Sequence, residues 1–289
     1  MIDNRKRSSN AIRVAIVAEN HASILLGGAE YQTQLLTDEL CSRSNVELVY
    51  MARRVPSGTV ASALPYAVRC IGSDAGIRRR AVFFDALGLW RALAEFRPDV
   101  IYQQCKQSYS AVCAQYARRS GIPYFFHVAS DADLDHRWIT LHMTVNTPFD
   151  IVESLSGDWG IRRASHIIVQ TKRQRDALRS NFLREPAGVF GIFQPLPTTL
   201  SVKPDGPLQV IWVGAIKDVK RPQLFVDLAE SFAGRTDLSF LMLGRPYAYR
   251  RFAPLMKRIP AVPNLAFLGE QPIERVNQLL SQASIYVNT

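Results

Sequence analysis

Two adjacent glycines, Gly27 and Gly28, separate a short apolar run from a helix-like pattern that continues through Glu30. A glycine turn lets backbone N–H groups approach an anion, and the N-terminus of the helix that follows favours negative charge. The turn could therefore bind phosphate, although a tight turn without a ligand uses the same residues. It is not the dinucleotide-binding fingerprint, because no G-x-G-x-x-G occurs in the sequence.

A second glycine turn, in the last third of the chain, carries three cations. Gly214 follows an apolar run, and Lys217, Lys220 and Arg221 come soon after it. Cations fixed beside a glycine suit a pyrophosphate, whose charge they neutralise. A solvated basic loop is the alternative. Gly244 ends the next apolar run in a further glycine turn.

A histidine and three aspartates accompany another apolar run. His127 lies near the end of the predicted strand 123–128, on the side of a parallel sheet where ligands bind, although a structural histidine is the alternative. Asp131, Asp133 and Asp135 form two D-x-D patterns. Paired carboxylates can hold a divalent metal on a diphosphate, but a polar loop or a helix cap has the same composition. We expect no metal site.

Strand-like and helix-like segments alternate along the whole chain, and they must position these residues. Apolar runs separated by helix-length patterns predict βαβ units and parallel sheets covered on both faces. Ligands bind outside the carboxyl ends of such strands. The predicted strands are 14–18, 46–51, 99–102, 123–128, 166–170, 209–213, 238–243, 265–268 and 285–287, and the predicted helices are 30–42, 79–96, 109–119, 149–163, 172–182, 222–233, 247–258 and 273–282.

Four prolines between residues 194 and 207 change the composition of the chain and predict a linker. We therefore expect a first α/β domain over 1–195, a linker over 196–207 and a second α/β domain over 208–289. The second domain has four predicted strands and ends on one of them. Because an exposed edge strand calls for cover, we expect that domain to be incomplete.

The composition favours an anionic partner. The 35 lysines and arginines exceed the 25 aspartates and glutamates, which gives a net charge of +10. Such a charge attracts nucleic acid, anionic lipid or nucleotide phosphates, and a solvated basic surface is the alternative. We expect no nucleic-acid partner, since no basic stripe interleaved with aromatics occurs. The basic cluster 77–80 precedes an apolar segment, 81–96, that could touch an anionic membrane or pack on the sheet.

None of the four cysteines, Cys41, Cys70, Cys105 and Cys113, belongs to a C-x-x-C pair, so the sequence predicts neither a zinc site nor a redox motif. We expect partly buried, reduced thiols in a cytoplasmic protein. No apolar run reaches the ~20 residues of a membrane span, and the run 14–18 is too short for a signal peptide. Peripheral contact at the inner membrane face stays open.

In order and spacing, these features resemble glycosyltransferase family 4, the retaining enzymes of the GT-B fold. The resemblance covers most of the chain and rests on 27–30 (GGAE), 127–131 (HVASD), 164–171 (ASHIIVQT), 213–214 (VG) with Lys220, 241–244 (LMLG), 263–269 (PNLAFLG) and 279–289. It implies two Rossmann-like domains, the second incomplete here, that bind a nucleotide-diphosphate sugar between them. It also implies transfer to a glycan or lipid-linked acceptor with retention, and no cofactor besides that substrate.

The resemblance implies a role for each candidate residue. His127 would contact the sugar or its developing positive charge, and Lys220 would stabilise the leaving diphosphate; these two are the catalytic candidates. Attack on the face from which the diphosphate leaves, with the diphosphate helping to take the proton, needs electrostatic stabilisation rather than a metal. The expected donor-binding residues are Gly27, Gly28, Gly214, Lys217, Arg221 and Gly244, and the expected acceptor-side residues are Glu30 and Asp131.

Two departures from the family pattern leave alternatives open. Family members often have an arginine directly after the glycine at position 214, where this chain has Ala215; Lys217 or Arg221 could supply the charge. The E-x7-E motif of the family, whose carboxylates bind the donor sugar and the ribose, would follow Thr289. We therefore expect a C-terminally truncated transferase whose activity at this length is open. The alternative is an inactive relative that binds a nucleotide or a partner.

Overall fold

The computed structural model describes residues 11–25, 27–73, 75–136, 147–195, 206–246 and 249–289. Contacts divide the chain into two compact units, Met1–Gln194 and Pro195–Thr289. Each unit is an α/β structure built on its own parallel sheet. The expected linker lies for the most part outside the described residues.

The first unit contains a seven-stranded parallel sheet in the order β3-β2-β1-β4-β5-β6-β7. Its strands are β1 (Ile12–Asn20), β2 (Val46–Arg54), β3 (Ala67–Cys70), β4 (Val100–Gln104), β5 (Tyr124–His127), β6 (His166–Val169) and β7 (Gly188–Val189), and its helices are α1 (Gly28–Cys41), α2 (Gly58–Ser62), α3 (Ala86–Phe96), α4 (Ser108–Ser120), α5 (Thr147–Arg163) and α6 (Lys172–Phe182).

Burial on both faces of this sheet explains why its central strands are apolar runs. Along β1, Ala15 and Val17 belong to a core cluster that also contains side chains of α3, α4, α5 and α6. Val14 and Ile16 belong to a second cluster, against which Leu36 of α1 packs. Successive residues of a strand face opposite sides, so a doubly covered strand is apolar throughout.

The order of the first sheet reverses between β1 and β4, which lie side by side in it. Helices that leave β1 and β4 therefore run to opposite faces, and a crevice opens where the carboxyl ends of the two strands meet. The residues that follow β1, β4 and β5 gather at this edge. They include the Gly27 turn and His127, which ends β5.

The second unit contains a four-stranded parallel sheet in the order β10-β9-β8-β11. Its core is rich in aromatic side chains: Trp212, Phe225 and Phe240 are buried together. Its elements are β8 (Leu208–Val213), α7 (Pro222–Ser231), β9 (Leu238–Leu243), α8 (Tyr249–Arg258), β10 (Leu265–Gly269), α9 (Ile273–Gln282) and β11 (Ile285–Tyr286). Across the described ranges of both units, no helix combines the length and the apolarity that crossing a bilayer requires.

The alternation of strands and helices is confirmed, and the departures are local. The strands β3 and β7 were not predicted, because each is a short element with no fully buried residue and so lacks an apolar run. The region predicted as a loop, 53–66, includes the short helix α2. The predicted helix 79–96 is α-helical only from Ala86, after two 3₁₀ turns over 76–80 and 82–85.

A buried ion pair accounts for the late start of α3. The Arg53 guanidinium donates to the carboxylate of Asp85 at 2.6 Å and to the carbonyl of Ala81 at 2.6 Å. The hydroxyl of Tyr109 also donates to Asp85. These contacts hold the chain before Ala86 in a bent course that helix propensity alone does not predict.

Candidate active site

His127 is held at the carboxyl edge of the first sheet by a neighbouring tyrosine. Its Nδ1 lies 2.7 Å from the hydroxyl of Tyr102, which is on the adjacent strand β4. The histidine is only 5% exposed. Its other ring nitrogen, Nε2, is buried and has no hydrogen-bond partner among the described residues. The side chain therefore carries one satisfied and one unsatisfied nitrogen.

Burial keeps the imidazole of His127 neutral at pH 7, because it lowers the pKa to about 4. Burial also raises the pKa of Tyr102, so the phenol keeps its proton. A neutral imidazole has one N–H and one acceptor nitrogen. When the Tyr102 hydroxyl donates to Nδ1, the unpaired Nε2 is a donor; in the other tautomer it is an acceptor.

A cavity of about 260 Å³ adjoins this pair. One wall is fixed by a double hydrogen bond: the side-chain amide of Gln32 donates to the carbonyl of Phe193 at 2.7 Å and accepts from its N–H at 2.7 Å. The cavity is mostly apolar, so His127 is one of few polar groups that a ligand would meet there. The lining residues are Gln32, Leu36, Tyr102, His127, Ile168, Phe190 and Phe193.

The Gly27 turn leaves the first N–H groups of α1 without a side-chain cap. A Cβ on Gly27 would lie 2.5 Å from a carboxylate oxygen of Glu30, whereas nothing lies within 4 Å of the corresponding position on Gly28. Glu30 thus folds back over Gly27, and its flexible carboxylate could move aside for a larger residue. Nothing among the described residues crowds the Cβ position of Gly28.

The turn after β4 carries a partly buried cysteine. Cys105 has a left-handed backbone, with φ of 72°. Burial raises the pKa of its thiol well above the usual value, and the carboxylates of Asp133, Glu30 and Glu19 act in the same direction. The thiol therefore stays protonated at neutral pH.

The two aspartates of the first D-x-D pattern have other partners. Asp133 accepts hydrogen bonds from the backbone N–H groups of Ala129, Ser130 and Lys106, at 2.8, 3.1 and 3.1 Å. It is a cap that joins the turns after β4 and β5. Asp131 is half-exposed and lies 3.3 Å from Arg173. In the part of the chain that is described, no cluster of three metal-ligating side chains occurs.

A buried lysine anchors the loop after β5 to α5. The ammonium of Lys106 donates to Asp158 at 2.9 Å and to the carbonyl of Asp135 at 2.6 Å. The other carboxylate oxygen of Asp158 lies 2.8 Å from Nδ1 of His136. This network fixes the segment that follows His127. No local sequence pattern predicts it, because its members are far apart along the chain.

In the second unit, two turns approach each other closely at Gly214 and Gly244. The N–H of Gly214 donates to the carbonyl of Leu243 at 3.0 Å. A Cβ on Gly244 would lie 1.8 Å from the carbonyl oxygen of Gly214, and the φ of Gly244 is +145°. Only glycine fits there. The N–H of Gly214 already donates a hydrogen bond to Leu243, so it is not available to a ligand. A donor-binding role for Gly214 therefore depends on the room that a residue without a side chain leaves beside the backbone.

The turn after β8 presents three cations. Lys217 and Arg221 are exposed and Lys220 is half-buried. Among the described residues, no carboxylate pairs with any of the three, whereas the nearby Asp218 pairs with Arg251 at 2.9 Å. Such a turn can neutralise a diphosphate.

The backbone of this basic turn is tied to the sheet. The indole N–H of Trp212 donates to the hydroxyl of Thr289 at 3.1 Å, and that hydroxyl donates to the carbonyl of Lys220. Arg221 has a left-handed backbone, with φ of 40°, and precedes Pro222 at the start of α7. The backbone of Lys220 is therefore held in place by the half-buried Thr289 and, through it, by the buried Trp212.

A sequence profile of a known domain family matches more than half of the chain. The profile of the glycosyl transferase 4-like domain matches residues 27–189, from the glycine turn to the last strand of the first sheet. A search of curated proteins finds no match.

Solved structures share the fold of the whole chain. WaaG, a glycosyltransferase involved in lipopolysaccharide biosynthesis, superposes with a TM-score of 0.70 at 11% identity, over 95% of this chain and 74% of that one. Alr3699/HepE of Anabaena, in complex with UDP and glucose, gives 0.64 at 13% identity, over 96% and 74%. Sucrose-phosphate synthase of Thermosynechococcus elongatus gives 0.61 at 13% identity, over 95% and 74%. At these identities the likeness shows the fold alone.

Proposed function

The chain belongs to the glycosyl transferase 4-like family, and from that membership we propose the reaction in detail. It is a glycosyltransferase with the two-sheet α/β architecture of the GT-B fold. We propose that it moves a sugar from a nucleotide-diphosphate sugar to a glycan or a lipid-linked acceptor, with retention of configuration and without a metal. The UDP and glucose held by the HepE structure support a nucleotide-sugar donor.

The observation that carries this proposal is the buried, unpaired Nε2 of His127 beside a cavity. A buried polar atom without a partner costs about 1–3 kcal/mol, so a ligand that supplies the partner recovers this free energy. A hydroxyl of the donor sugar is such a partner. Because the imidazole is neutral, it can contact the sugar without repelling the positive charge that develops at the anomeric carbon.

The leaving diphosphate is the second centre of the mechanism. The bond between the anomeric carbon and the phosphate oxygen breaks, and the acceptor oxygen forms its bond on the same face. The acceptor proton passes to the departing diphosphate, so no protein base is required. Lys220, with Lys217 and Arg221, neutralises the charge that grows on that group, so that no divalent metal is required.

The remaining residues bind and orient substrates in this proposal. Gly27 and Gly28 bring the N-terminus of α1 towards the donor phosphates or the incoming acceptor. Glu30 and Asp131 lie on the acceptor side. Gly214 and Gly244 support the basic turn through the close approach described above.

We further propose a cytoplasmic location with peripheral contact at the inner membrane face, where a lipid-linked acceptor would be found. All four cysteines are free, which supports a reducing compartment. Cys113 is buried and Cys70 is exposed. A solvent-accessible thiol persists most readily where disulfide formation is disfavoured.

The test needs no knowledge of the acceptor. The full chain is incubated with UDP-, GDP- and ADP-sugars, and released nucleoside diphosphate is measured together with the anomeric configuration of the first sugar product by NMR. We expect turnover of one donor class with retention, and a rate unchanged by EDTA. An inverted product contradicts retention, a rate lost to EDTA contradicts metal independence, and no release of nucleoside diphosphate from any donor contradicts the reaction itself.

A further inference from the structure

An apolar groove lies on the outer surface of the helices that cover the first sheet. It has a volume of about 510 Å³ and lies among α3, α4 and α5. Neither the cavity beside His127 nor any candidate substrate residue contributes to it. Two tryptophans stand in its lining, which consists of Ala86, Trp90, Ala111, Val112, Gln115 and Trp159.

Exposed aliphatic side chains extend this apolar surface on both sides of the groove. On α5, Val152 and Leu155 are 42% and 48% exposed, and the spacing 152, 155, 159 places them on the same helix face as Trp159. On α3, Leu87 is 59% exposed, one turn before Trp90. We call the groove together with Leu87, Val152 and Leu155 the α3–α5 face.

Arginines border the α3–α5 face. The guanidinium of Arg163 lies 4.1 Å from the ring centroid of Trp159, and that of Arg119 lies 5.8 Å from the ring centroid of Trp90. Both arginines are exposed, and no carboxylate in the described ranges pairs with either. Arg91 and Arg118, their neighbours, are exposed as well. Each tryptophan ring therefore has an exposed guanidinium beside it.

We propose that the α3–α5 face docks on an anionic lipid bilayer. Tryptophan rings are favoured at the headgroup level, aliphatic side chains below it, and arginines beside lipid phosphates. The face offers all three groups together, on a chain with a net charge of +10. The arginines, which have no carboxylate partner among the described residues, select the lipid over a protein partner, because a protein would have to present matching carboxylates around an apolar groove.

The sequence leaves open whether the segment 81–96, with its basic start, touches an anionic membrane or packs on the sheet. In the structure, Leu89 and Leu93 of α3 are buried in the core, and only the side of the helix with Leu87 and Trp90 reaches the surface. The surface is built from three helices and could not be recognised along one of them.

This docking proposal rests on the proposed function, because a lipid-linked acceptor brings the enzyme to a membrane. The test of the docking proposal measures vesicle binding and does not depend on turnover. The full chain is floated with vesicles of phosphatidylcholine alone and with vesicles that contain an equal part of phosphatidylglycerol. We expect binding at least about tenfold tighter to the anionic vesicles, weakened by salt. Tryptophan fluorescence should shift to the blue on binding. Equal binding to both vesicles, or none, overturns the proposal.

Variants locate the contact. The double variant Arg119→Glu/Arg163→Glu should lose anionic vesicle binding by about tenfold or more. The double variant Lys257→Glu/Arg275→Glu, in the second unit, changes the net charge equally and should bind like the wild type. Leu155→Ser should weaken binding without a change in charge. Thermal unfolding verifies that each variant is folded, and loss of binding in the second-unit variant alone overturns the assignment of this face.

Two further readouts separate the possible failures. Release of nucleoside diphosphate from the donor in solution should be unchanged in Arg119→Glu/Arg163→Glu. If the wild type turns over donor and ignores vesicles, the docking proposal fails and the proposed function stands. If it binds anionic vesicles and neither binds nor turns over a donor, the proposed function fails and the docking proposal stands. Light scattering that shows a dimer broken by Leu155→Ser would assign the face to a second copy of the chain and overturn the lipid assignment.

Discussion

The hydroxyl of Tyr102 lies 2.7 Å from Nδ1 of His127, across two adjacent strands, and leaves Nε2 as the free end of the imidazole. Tyr102 acts as a positioning residue, because it touches the histidine and orients its ring. The strands β4 and β5 are paired in register, with Gln104 opposite His127, so the sheet itself sets this contact.

Removal of that hydroxyl should slow the reaction without abolishing substrate binding. In Tyr102→Phe, Nδ1 loses its partner and the ring loses its preferred tautomer, so we expect kcat to fall about tenfold with little change in KM. Tyr124→Phe is the matched control, because Tyr124 is buried on β5 and its hydroxyl donates to Gln103 instead. Equal losses of kcat in both variants would reduce Tyr102 to a structural role.

Acid should destabilise the first unit through His127. The folded pKa is about 4 and the ordinary value is near 6.5, so between these pH values the unfolded chain binds a proton that the folded chain does not. The free energy of unfolding therefore falls as pH falls, by up to about 3 kcal/mol between pH 7 and pH 4 for this residue.

Denaturant unfolding of the wild type and of His127→Gln, compared at pH 7 and pH 4.5, measures this effect. Burial also lowers the pKa of His21, so both proteins should show some acid sensitivity from that residue. The difference between the two proteins isolates His127. A variant as acid-sensitive as the wild type would show that the histidine is not buried in neutral form.

Loss of the lysine in the basic turn should impair departure of the diphosphate. In Lys220→Ala we expect kcat to fall about 100-fold or more, by analogy with the removal of one donor that stabilises a developing anion. Lys257→Ala, an exposed lysine of α8, is the control and should turn over donor normally. Unchanged turnover in Lys220→Ala would eliminate this role.

A single methyl group at Gly244 should destabilise the second unit. The Cβ would overlap the carbonyl oxygen of Gly214 at 1.8 Å, on a backbone with φ of +145° that side chains rarely adopt. We expect Gly244→Ala to lower the free energy of unfolding by about 2 kcal/mol or more. Gly234→Ala, where nothing lies within 4 Å, should be nearly neutral. Equal effects of the two substitutions would contradict the close approach.

Much of the fold follows from local pattern. Buried parallel strands are continuous apolar runs, so β1, β2, β4, β5, β6, β8, β9 and β10 stand out in the sequence. The strands β3 and β7 have no such run, since their residues are at most half-buried. The late start of α3 cannot be predicted from the local sequence, because Arg53 of strand β2 determines it.

The candidate site was predictable in part. The position of His127 at the end of a strand was enough to single it out. Its pairing with Tyr102 needs the strand order, which a single sequence does not supply. Gly214 and Gly244 attract attention as ligand-binding glycines, yet the close approach of the Gly214 carbonyl gives Gly244 a structural reason. In the sequence, Asp133 likewise looks like half of a metal-binding motif. In the structure it is a cap that accepts hydrogen bonds from three backbone N–H groups.

Donor turnover by His127→Ala, set against that of His166→Ala, decides whether the buried histidine takes part in the reaction. His166 is an exposed histidine that stacks on Phe125, so it controls for the loss of a histidine from a neighbouring strand. We expect kcat to fall about 100-fold in His127→Ala, with thermal unfolding close to that of the wild type and normal turnover in the control. A folded His127→Ala that turns over donor at the wild-type rate would show that His127 has no part in the transfer.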